Sequence, residues 1–233
     1  MNSQLAKSPR LYVSGSLHSE HDVTLARDQV HYLSNVMRLE EGAFIRVFNG
    51  KDGEWSGVFN KTSKKEGYVA LQDCLRAQPE QEPTKHLYFT PLKKNRLDFL
   101  IEKSVELGVT ALTPVLTQNT DIRKINAERI RAQIIEACEQ CERLTIPLLN
   151  KMVSFSDLLV LKNPLAVALE RCEEAKEIPG TEFGSILIGP EGGFSEEERV
   201  LILKEEHFTP VSLGTRIFRA ETAALSALIQ MDS

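Results

Sequence analysis

The stretch LIGPEGGFSEEE, residues 187–198, joins an apolar strand to a helix through a glycine-rich turn. Ser195 followed by Glu198 has the spacing of a capping box, which predicts that a helix starts directly after the turn. Glycines after a strand let a ligand approach the backbone closely, although a tight turn that needs positive φ explains them equally well. The turn lacks the GxGxxG spacing and the lysine of phosphate-binding loops, and it carries the carboxylate of Glu191. We therefore expect any ligand bound here to lack phosphate.

The chain around this turn alternates between strands and helices from residue 85 onward. The strands LAVALE (165–170) and SILIG (185–189) have almost no polar alternation, which is typical of a parallel sheet covered on both faces. The pattern predicts an α/β domain with a mostly parallel sheet. The other predicted segments are HLYFTPL (86–92), NRLDFLIEKSVELG (95–108), VTALTPVL (109–116), NAERIRAQIIEACEQCER (126–143), TPVSLG (209–214) and RAETAALSALIQM (219–231).

The first part of the chain has a different pattern, with short segments rich in β-branched and aromatic residues. NGKDGEW (49–55) carries two turn signals and predicts a hairpin. One helix is predicted at ARDQVHYLSNVMRL (26–39), where Val30, Leu33, Val36 and Met37 have helical spacing. We expect a small β-barrel-like domain over residues 1–75, a linker at 76–84 (RAQPEQEPT) and a second domain over 85–233. The predicted strands are RLYV (10–13), FIRVFNG (44–50), EWSGVFN (54–60) and GYVALQDC (67–74).

Composition indicates a soluble globular protein, with 42% hydrophobic and 26% charged residues among 233. No apolar run reaches the roughly 18 to 20 residues that span a bilayer, so we expect no membrane segment. The N-terminal stretch lacks the apolar core of a signal peptide, and the four cysteines are unevenly spaced. We therefore expect a cytoplasmic protein with reduced thiols.

The net charge of −5 is unevenly distributed along the chain. Residues 85–131 hold nine basic and five acidic side chains, a local charge of +4, whereas residues 132–233 hold nine basic and seventeen acidic, a local charge of −8. A polyanion such as RNA could bind the first half of the chain without facing the acidic second half. An unevenly charged, solvated surface is the alternative interpretation.

The sequence offers little support for a metal or nucleophile site. CEQC (138–141) has CxxC spacing, but no second Cys or His pair completes a ligand set. Both cysteines lie on the apolar stripe of a predicted helix, so we interpret them as small buried hydrophobic residues and expect no metal.

A second unusual stretch is LGTRIFRAETAALSAL, residues 213–228. A strand again ends in glycine, and Arg216, Arg219 and Glu221 follow before an Ala-rich helix. Arg and Glu side chains at a strand end can serve an active site or form a structural salt bridge, and the stretch alone does not decide between them.

Taken with LIGPEGGFSEEE, this stretch resembles the 16S ribosomal RNA uracil-N3 methyltransferase family of the SPOUT (trefoil-knot) superfamily. Further blocks of the resemblance are HYLSNVMRLEEG (31–42), EKSVELGVTALTPVLTQNT (102–120) and ERIRAQIIEACEQCERLTIP (128–147), in the family order and over nearly the whole chain. Glu142 stands where the family often has Gly, and Phe218 where it often has Leu. Neither difference removes a glycine or charged residue of the knot.

The resemblance implies an N-terminal PUA-like barrel that binds RNA and a knotted methyltransferase domain that uses S-adenosylmethionine. It also implies a homodimer with the active site at the subunit interface, and a substrate uridine in 16S rRNA, in the assembled small ribosomal subunit. A turn without lysine suits S-adenosylmethionine, which has no phosphate. The implied cofactor-binding residues are Leu169, Gly189, Glu191, Gly192, Gly193, Leu213, Gly214, Ile217, Phe218 and Thr222.

Methylation at uracil N3 requires that the N3 proton be removed. A cation near the base would stabilise the resulting anion, and we predict that Arg219 and Arg216 do so while Glu221 orients one of them through a bidentate pair. No residue stands out as the base. For RNA phosphates the candidate residues are Arg10, Arg38, Arg46, Lys51, Lys93, Lys94, Arg96 and Arg123.

Two other functions remain open from the sequence. One is a methyltransferase of the same fold that acts on tRNA or on another rRNA site, and the other is a non-catalytic RNA-binding assembly factor. A nicotinamide dehydrogenase is disfavoured because its glycine fingerprint is missing.

Overall fold

The computed structural model of the chain describes residues 8–161, 163–178 and 183–232. The first seven residues of the predicted N-terminal domain therefore lie outside the described part. The chain forms two compact units. The first unit comprises Met1–Gln81 together with Cys138–Ile146, and the second comprises Glu82–Ala137 together with Pro147–Ser233. Residues 138–146 thus cluster with the N-terminal unit, although the sequence pattern assigned them to the range 85–233.

The first unit is built on a five-stranded sheet in the order β1-β3-β4-β5-β2. β1 pairs in parallel with β3, and the other pairings are antiparallel. The hairpin predicted at residues 49–55 is confirmed as the connection between β3 and β4. Alternate residues of the strands, such as Ile45 and Val47, are fully buried in one apolar core. The strands are β1 (Arg10–Tyr12), β2 (Asp22–Thr24), β3 (Phe44–Phe48), β4 (Glu54–Lys61) and β5 (Gly67–Arg76).

The helix predicted at residues 26–39 is shorter than expected. α1 covers Arg27–His31 only, and a π-helical turn follows at Tyr32–Val36. The amide of Met37 donates to the carbonyl of Tyr32 at 2.9 Å, which is the i→i+5 bond of a π-turn. This wider turn breaks the 3.6-residue period. Val30 and Leu33 are fully buried, whereas Val36 and Met37, which have helical spacing with them in the sequence, are 60% and 41% exposed.

The second unit contains a sheet in the order β11-β13-β10-β12-β6-β7-β8, and β9 also pairs with β7. Each of these pairings is parallel, which confirms the predicted sheet type. The strands are β6 (His86–Phe89), β7 (Ala111–Leu116), β8 (Leu148–Leu149), β9 (Val153–Ser154), β10 (Leu165–Ala168), β11 (Lys176–Glu177), β12 (Ser185–Ile188) and β13 (Phe208–Ser212).

In the described part of the chain, five further helices follow strands of this sheet. They are α2 (Lys94–Glu106), α3 (Ala127–Gln140), α4 (Phe155–Leu158), α5 (Glu196–Lys204) and α6 (Ala220–Gln230). α2 packs against α6, which also contacts β12 and β6. The sequence placed Cys138 and Cys141 together on a buried helical stripe, and this is wrong for Cys141. α3 ends at Gln140, Glu142 has a φ of 58°, and Cys141 is exposed while Cys138 is buried.

Parallel strands bring their carboxyl ends to one edge of the sheet, where ligands bind in open α/β folds. In this unit the loops at that edge include the glycine-rich turn after β12, the loop after β13 and the start of the loop after β10. Over the described part of the chain, no helix is long and apolar enough to cross a membrane.

Candidate active site

The glycine-rich turn spans Pro190–Gly193. The amide of Gly193 donates to the carbonyl of Pro190 at 2.9 Å, and Gly193 has a φ of 69°, a conformation that favours glycine. Gly189 lies against the ring of Phe194, where an added Cβ would stand only 2.7 Å from a ring carbon. Phe194 is buried in the core beneath the turn. Local geometry thus requires glycine at Gly193 in the turn and at Gly189 directly before it.

The predicted capping box at Ser195 is confirmed and makes a further contact. The Ser195 hydroxyl accepts from the amide of Glu198 at 3.2 Å, and the Glu198 carboxylate accepts from the amide of Ser195 at 2.9 Å. Glu198 also accepts from the amide of Gln118 at 2.8 Å. Next to Gln118, the Asn119 amide group donates to the carbonyl of Gly193 at 3.0 Å. The loop after β7 therefore braces the turn.

Sequence reasoning did not single out Gln118 or Asn119. They lie in the block 102–120 that carries part of the family resemblance, but the residues themselves give no indication that they contact a turn more than 70 positions away.

The carboxylate of Glu191 pairs with Arg96, the third residue of α2. Arg96 also donates twice to Glu221: from Nε at 2.9 Å and from Nη2. The prediction that Glu221 orients Arg216 or Arg219 through a bidentate pair is therefore wrong, because Arg96 occupies this carboxylate. Arg96 itself was predicted to contact RNA, and its guanidinium is instead held between two carboxylates.

These ion pairs shift the titration of both partners. Hydrogen bonds from Arg96 to Glu221 and then to Glu191 raise the pKa of Arg96 above its usual value. Burial acts to raise the pKa of Glu221, but the hydrogen bond from Arg96, a backbone hydrogen bond and the charges of Arg96 and Arg219 together outweigh it and hold that pKa below its usual value. Glu221 is therefore ionised at neutral pH.

The loop after β13 leads into α6 and carries the two other predicted catalytic residues. Arg219 is the N-cap residue of α6, and its side chain makes no capping bond. Arg216 and Arg219 are exposed. Within the described residues, neither guanidinium has a hydrogen-bond or ion-pair partner. Two unpaired cations thus lie beside the start of α6.

A cavity of about 630 Å³ opens at this edge of the sheet. That volume falls in the range of about 300 to 1,000 Å³ typical of small-molecule sites. Three predicted cofactor-binding residues line it: Leu169 after β10, and Leu213 with Gly214 after β13. Its other lining residues are Arg171, Cys172, Glu177, Ile178, Ser212, Thr215 and Gln230.

The other predicted cofactor-binding residues do not line this cavity. Glu191, Gly192 and Gly193 lie exposed in the glycine-rich turn, Ile217 is 59% exposed, and Thr222 is exposed in the first turn of α6. Gly189 and Phe218 are half-buried. The apolar walls from Leu169, Ile178 and Leu213 and the bare backbone at Gly214 fit an adenosine group. In the described part of the chain, no cluster of three or more His, Cys, Asp or Glu side chains could hold a metal ion.

Two predicted RNA contacts are buried inside the first unit. The Arg10 guanidinium donates to Glu54 at 2.6 Å and to the carbonyls of Cys138 and Arg143 at 2.6 and 2.7 Å. The Arg46 guanidinium lies 3.7 Å from the Glu54 carboxylate and 2.9 Å from the carboxylate of Glu142, two residues after the end of α3. This placement argues against phosphate binding by Arg10 and Arg46, because segment 138–146 covers their face of the sheet.

The remaining predicted RNA contacts are exposed. They are Arg38 and Lys51 in the first unit and Lys93, Lys94 and Arg123 in the second. Lys94 pairs with Asp98 at 2.8 Å, one helical turn away. The positive charge near the start of α2 is thus open to solvent.

A polar cluster at the opposite edge of the sheet centres on His86, the first residue of β6. Its ring stacks on Tyr88 with centroids 4.0 Å apart, and its Nε2 lies 2.7 Å from the hydroxyl of Thr113. Burial lowers the pKa of His86 to about 4. The imidazole is therefore neutral at physiological pH and belongs to the packing of β6 against β7 rather than to the edge that carries the cavity.

Comparison with known proteins places this geometry in a family. Residues 79–232 match the family model of an RNA methyltransferase domain, and residues 25–72 match that of an RNA methyltransferase PUA domain. The ribosomal RNA small subunit methyltransferase E of Rickettsia conorii is 33% identical, over 97% of this chain and 95% of the relative. The chain belongs to the ribosomal RNA small subunit methyltransferase E family. The domain types predicted from sequence, an RNA methyltransferase domain with a mostly parallel sheet preceded by a PUA-like domain, are thereby confirmed.

A further relative and two solved structures extend the similarity. The Synechocystis protein of that name is 31% identical over 100% of this chain and 80% of its own length. The crystal structure of the Neisseria gonorrhoeae enzyme, bound to S-adenosylmethionine, matches with a TM-score of 0.81 and 29% identity over 96% of both chains. A Legionella pneumophila protein, also solved with this cofactor, has a TM-score of 0.83 and 30% identity over 97% of both chains.

Proposed function

We propose that this protein transfers a methyl group from S-adenosylmethionine to N3 of one uridine in 16S ribosomal RNA. The observation that carries the proposal is the cavity at the carboxyl edge of the parallel sheet, walled by Leu169, Leu213 and Gly214, with unpaired Arg216 and Arg219 in the adjoining loop. Two family-level neighbours were solved with S-adenosylmethionine bound, and the curated relatives are named for the small-subunit rRNA.

The cofactor supplies an electrophilic methyl group, and the chain supplies position and charge. Leu169, Ile178 and Leu213 provide apolar walls for the adenosine, and Gly214, with a φ of 117° and no side chain, admits close approach. The predicted cofactor residues of the glycine-rich turn do not line the cavity, and we propose that they contact the bound cofactor from the β12 side.

Deprotonation of uracil N3 leaves an anion spread over O2, N3 and O4. Arg219, and with it Arg216, stabilises this charge as the proton leaves, which lowers the barrier to attack on the methyl group. N3 lies on the Watson–Crick edge, so the uridine is unpaired when it reacts. Holding N3 in line with the methyl group contributes much of the remaining rate.

The RNA is held by exposed cations: Arg38 and Lys51 on the first unit and Lys93, Lys94 and Arg123 on the second. Contacts of this kind give an affinity that falls steeply with salt.

The enzyme works in the cytoplasm on the small ribosomal subunit, as a homodimer whose active site lies at the subunit interface. Analytical ultracentrifugation tests the dimer, and a monomer at micromolar concentration would contradict it.

The decisive experiment incubates the protein with labelled S-adenosylmethionine and small subunits that lack the modification. We expect label at N3 of one uridine in 16S rRNA. Label in tRNA or at another rRNA position would assign the protein to a different target, and binding of the subunit without the cofactor would assign it to ribosome assembly.

The variant Arg219→Ala tests the proposed cation. Turnover should fall by at least about tenfold, because a charge that develops in the transition state loses its partner. The dissociation constant for S-adenosylmethionine, measured by calorimetry, should change far less. Arg131→Ala is the control, since Arg131 is another exposed arginine of the second unit. Wild-type turnover in Arg219→Ala would overturn this role.

A further inference from the structure

Three elements of the second unit meet at one guanidinium. Arg96 lies in the first turn of α2, Glu191 in the glycine-rich turn and Glu221 in the first turn of α6. The partners are 95 and 125 positions from Arg96 in sequence. Nε and Nη2 of Arg96 both donate to one oxygen of Glu221, and Nη1 donates to Glu191. A planar fork makes these bonds together, whereas the single ammonium of a lysine cannot reproduce them.

The two carboxylates differ in how much they depend on Arg96. The side chain of Glu221 is 11% exposed and that of Glu191 is 51% exposed. Water can therefore solvate Glu191 if the guanidinium is removed. Glu221 is nearly closed to water, and leaving a buried carboxylate without a partner is strongly destabilising. We infer that this cost favours a rearrangement that brings another cation to Glu221.

The cation within reach of Glu221 is Arg219. Only Ala220 separates the two residues, and both lie at the start of α6. The charge of Arg219 already acts on Glu221: after the burial of the carboxylate and its bonds with Arg96, Arg219 contributes to holding the pKa of Glu221 low. Yet the guanidinium of Arg219 is exposed and makes no ion pair within the described residues, because Arg96 occupies Glu221.

We propose that Arg96 is a positioning residue of the methyl transfer, which keeps the Glu221 carboxylate occupied and so leaves Arg219 free to face the substrate. The inference rests on the proposed function, in which Arg219 stabilises the uracil anion. Arg96 does not touch the substrate in this account. It acts through Glu221 on Arg219, and through Glu191 it also joins the glycine-rich turn to α2.

This role makes a prediction that a purely structural ion pair does not make. In Arg96→Met, the freed Glu221 captures Arg219 and kcat falls by at least about tenfold, the effect of losing one charged hydrogen bond in the transition state. In the double variant Arg96→Met/Glu221→Gln no carboxylate is left to capture Arg219. Its kcat should therefore return to within about threefold of wild type, although the double variant has lost more contacts than the single one.

The test measures kcat with saturating S-adenosylmethionine and subunits, together with the cofactor dissociation constant and the melting temperature of each variant. Arg129→Met is the matched control. Arg129 pairs with Asp98, which lies on α2 as Arg96 does. The Arg129 side chain is 34% exposed and that of Arg96 is 23% exposed, but within the described residues Arg129 pairs with neither Glu191 nor Glu221. Its kcat should equal that of wild type.

Recovery of kcat in the double variant supports the proposal. A double variant that is folded but as slow as Arg96→Met, or an Arg96→Met that turns over like Arg129→Met, overturns it. If Arg96→Met does not fold, Arg96→Lys replaces it, and the addition of Glu221→Gln must then raise its kcat. Failure of the proposed function is distinct, because wild type itself would then transfer no label.

Discussion

Glu54 is a buried anion whose ion pairs stabilise the face of the N-terminal sheet opposite the apolar core. Its side chain is 0% exposed, and it accepts hydrogen bonds from Arg10 and Arg76, each at 2.6 Å. In Glu54→Gln one neutral acceptor replaces the carboxylate, while the buried guanidinium of Arg10 stays. Removing one partner of a buried pair costs about 3 to 5 kcal/mol. Because glutamine keeps one acceptor oxygen, we expect the free energy of unfolding of the first unit to fall by about 3 kcal/mol.

The chain offers a local probe for this measurement. Trp55 is the single tryptophan, lies next to Glu54 in β4, and donates from Nε1 to the carbonyl of Asp52 at 2.9 Å. Urea unfolding followed by tryptophan fluorescence therefore reports the first unit. Glu66→Gln, at an exposed position before β5, is the control and should unfold like wild type. Coincident transitions for Glu54→Gln and Glu66→Gln would refute the reasoning.

Acid adds a second criterion. Burial acts to raise the pKa of Glu54, but hydrogen bonds from Arg76 and Arg10 outweigh it, and the folded-state pKa lies below the usual 4.5. A depressed pKa contributes stability that is present above pH 4.5 and is lost as pH falls through the folded-state pKa. The wild-type transition should therefore move to lower urea below pH 4.5, and that movement should be smaller in Glu54→Gln.

Two further predictions concern the second unit. The pKa of His86 is about 4 in the folded chain and 6.5 in the unfolded chain, so the unfolded chain binds the proton first as the pH falls. Acidification from pH 6.5 to 4 should therefore lower the free energy of unfolding by up to about 3 kcal/mol. Unfolding followed by circular dichroism should show that the loss of stability in acid is smaller in His86→Gln than in wild type, but unchanged in His31→Gln, whose histidine is exposed. If stability falls equally with pH in the two variants, the acid sensitivity does not come from His86. Gly189→Ala forces a Cβ to 2.7 Å from the Phe194 ring and should lower the free energy of unfolding by about 1 to 3 kcal/mol. Gly192→Ala, where an added Cβ would meet its nearest atom at 3.4 Å, should be nearly neutral, and equal melting temperatures for the two would rule out the steric argument.

Much of the fold could be predicted from local pattern. Strand and helix periods, the capping box at Ser195 and the hairpin at 49–55 depend on neighbours within a few residues, and the structure confirms them. The π-turn after α1 could not be predicted, because i→i+5 bonding leaves no period in so short a segment. The end of α3 was also missed, since Glu142 takes a left-handed φ without being glycine.

The candidate site was predicted in part, and the missing part is the pairing of charges. Sequence alone places Glu191, Glu221, Arg96 and Arg219 near strand and helix ends, but any of the arginines could satisfy either acid. The choice depends on how α2 packs against α6, which is a tertiary property. The same limit applies to Arg10, since alternation along a strand places it on the outer face without showing that residues 138–146 cover that face.

That cover has a consequence for the order in which the protein is made. The ribosome releases the five strands of the N-terminal sheet well before residues 138–146, which supply the carbonyls of Cys138 and Arg143 to Arg10 and the carboxylate of Glu142 to Arg46. Until then Arg10 and Arg46 lack these partners and pair only with groups of the N-terminal segment, such as Glu54. The N-terminal domain is therefore complete only after more than half of the chain has been synthesised. A fragment that ends in the linker at 76–84 would keep the apolar core but lack residues 138–146, which cover the charged face of the sheet.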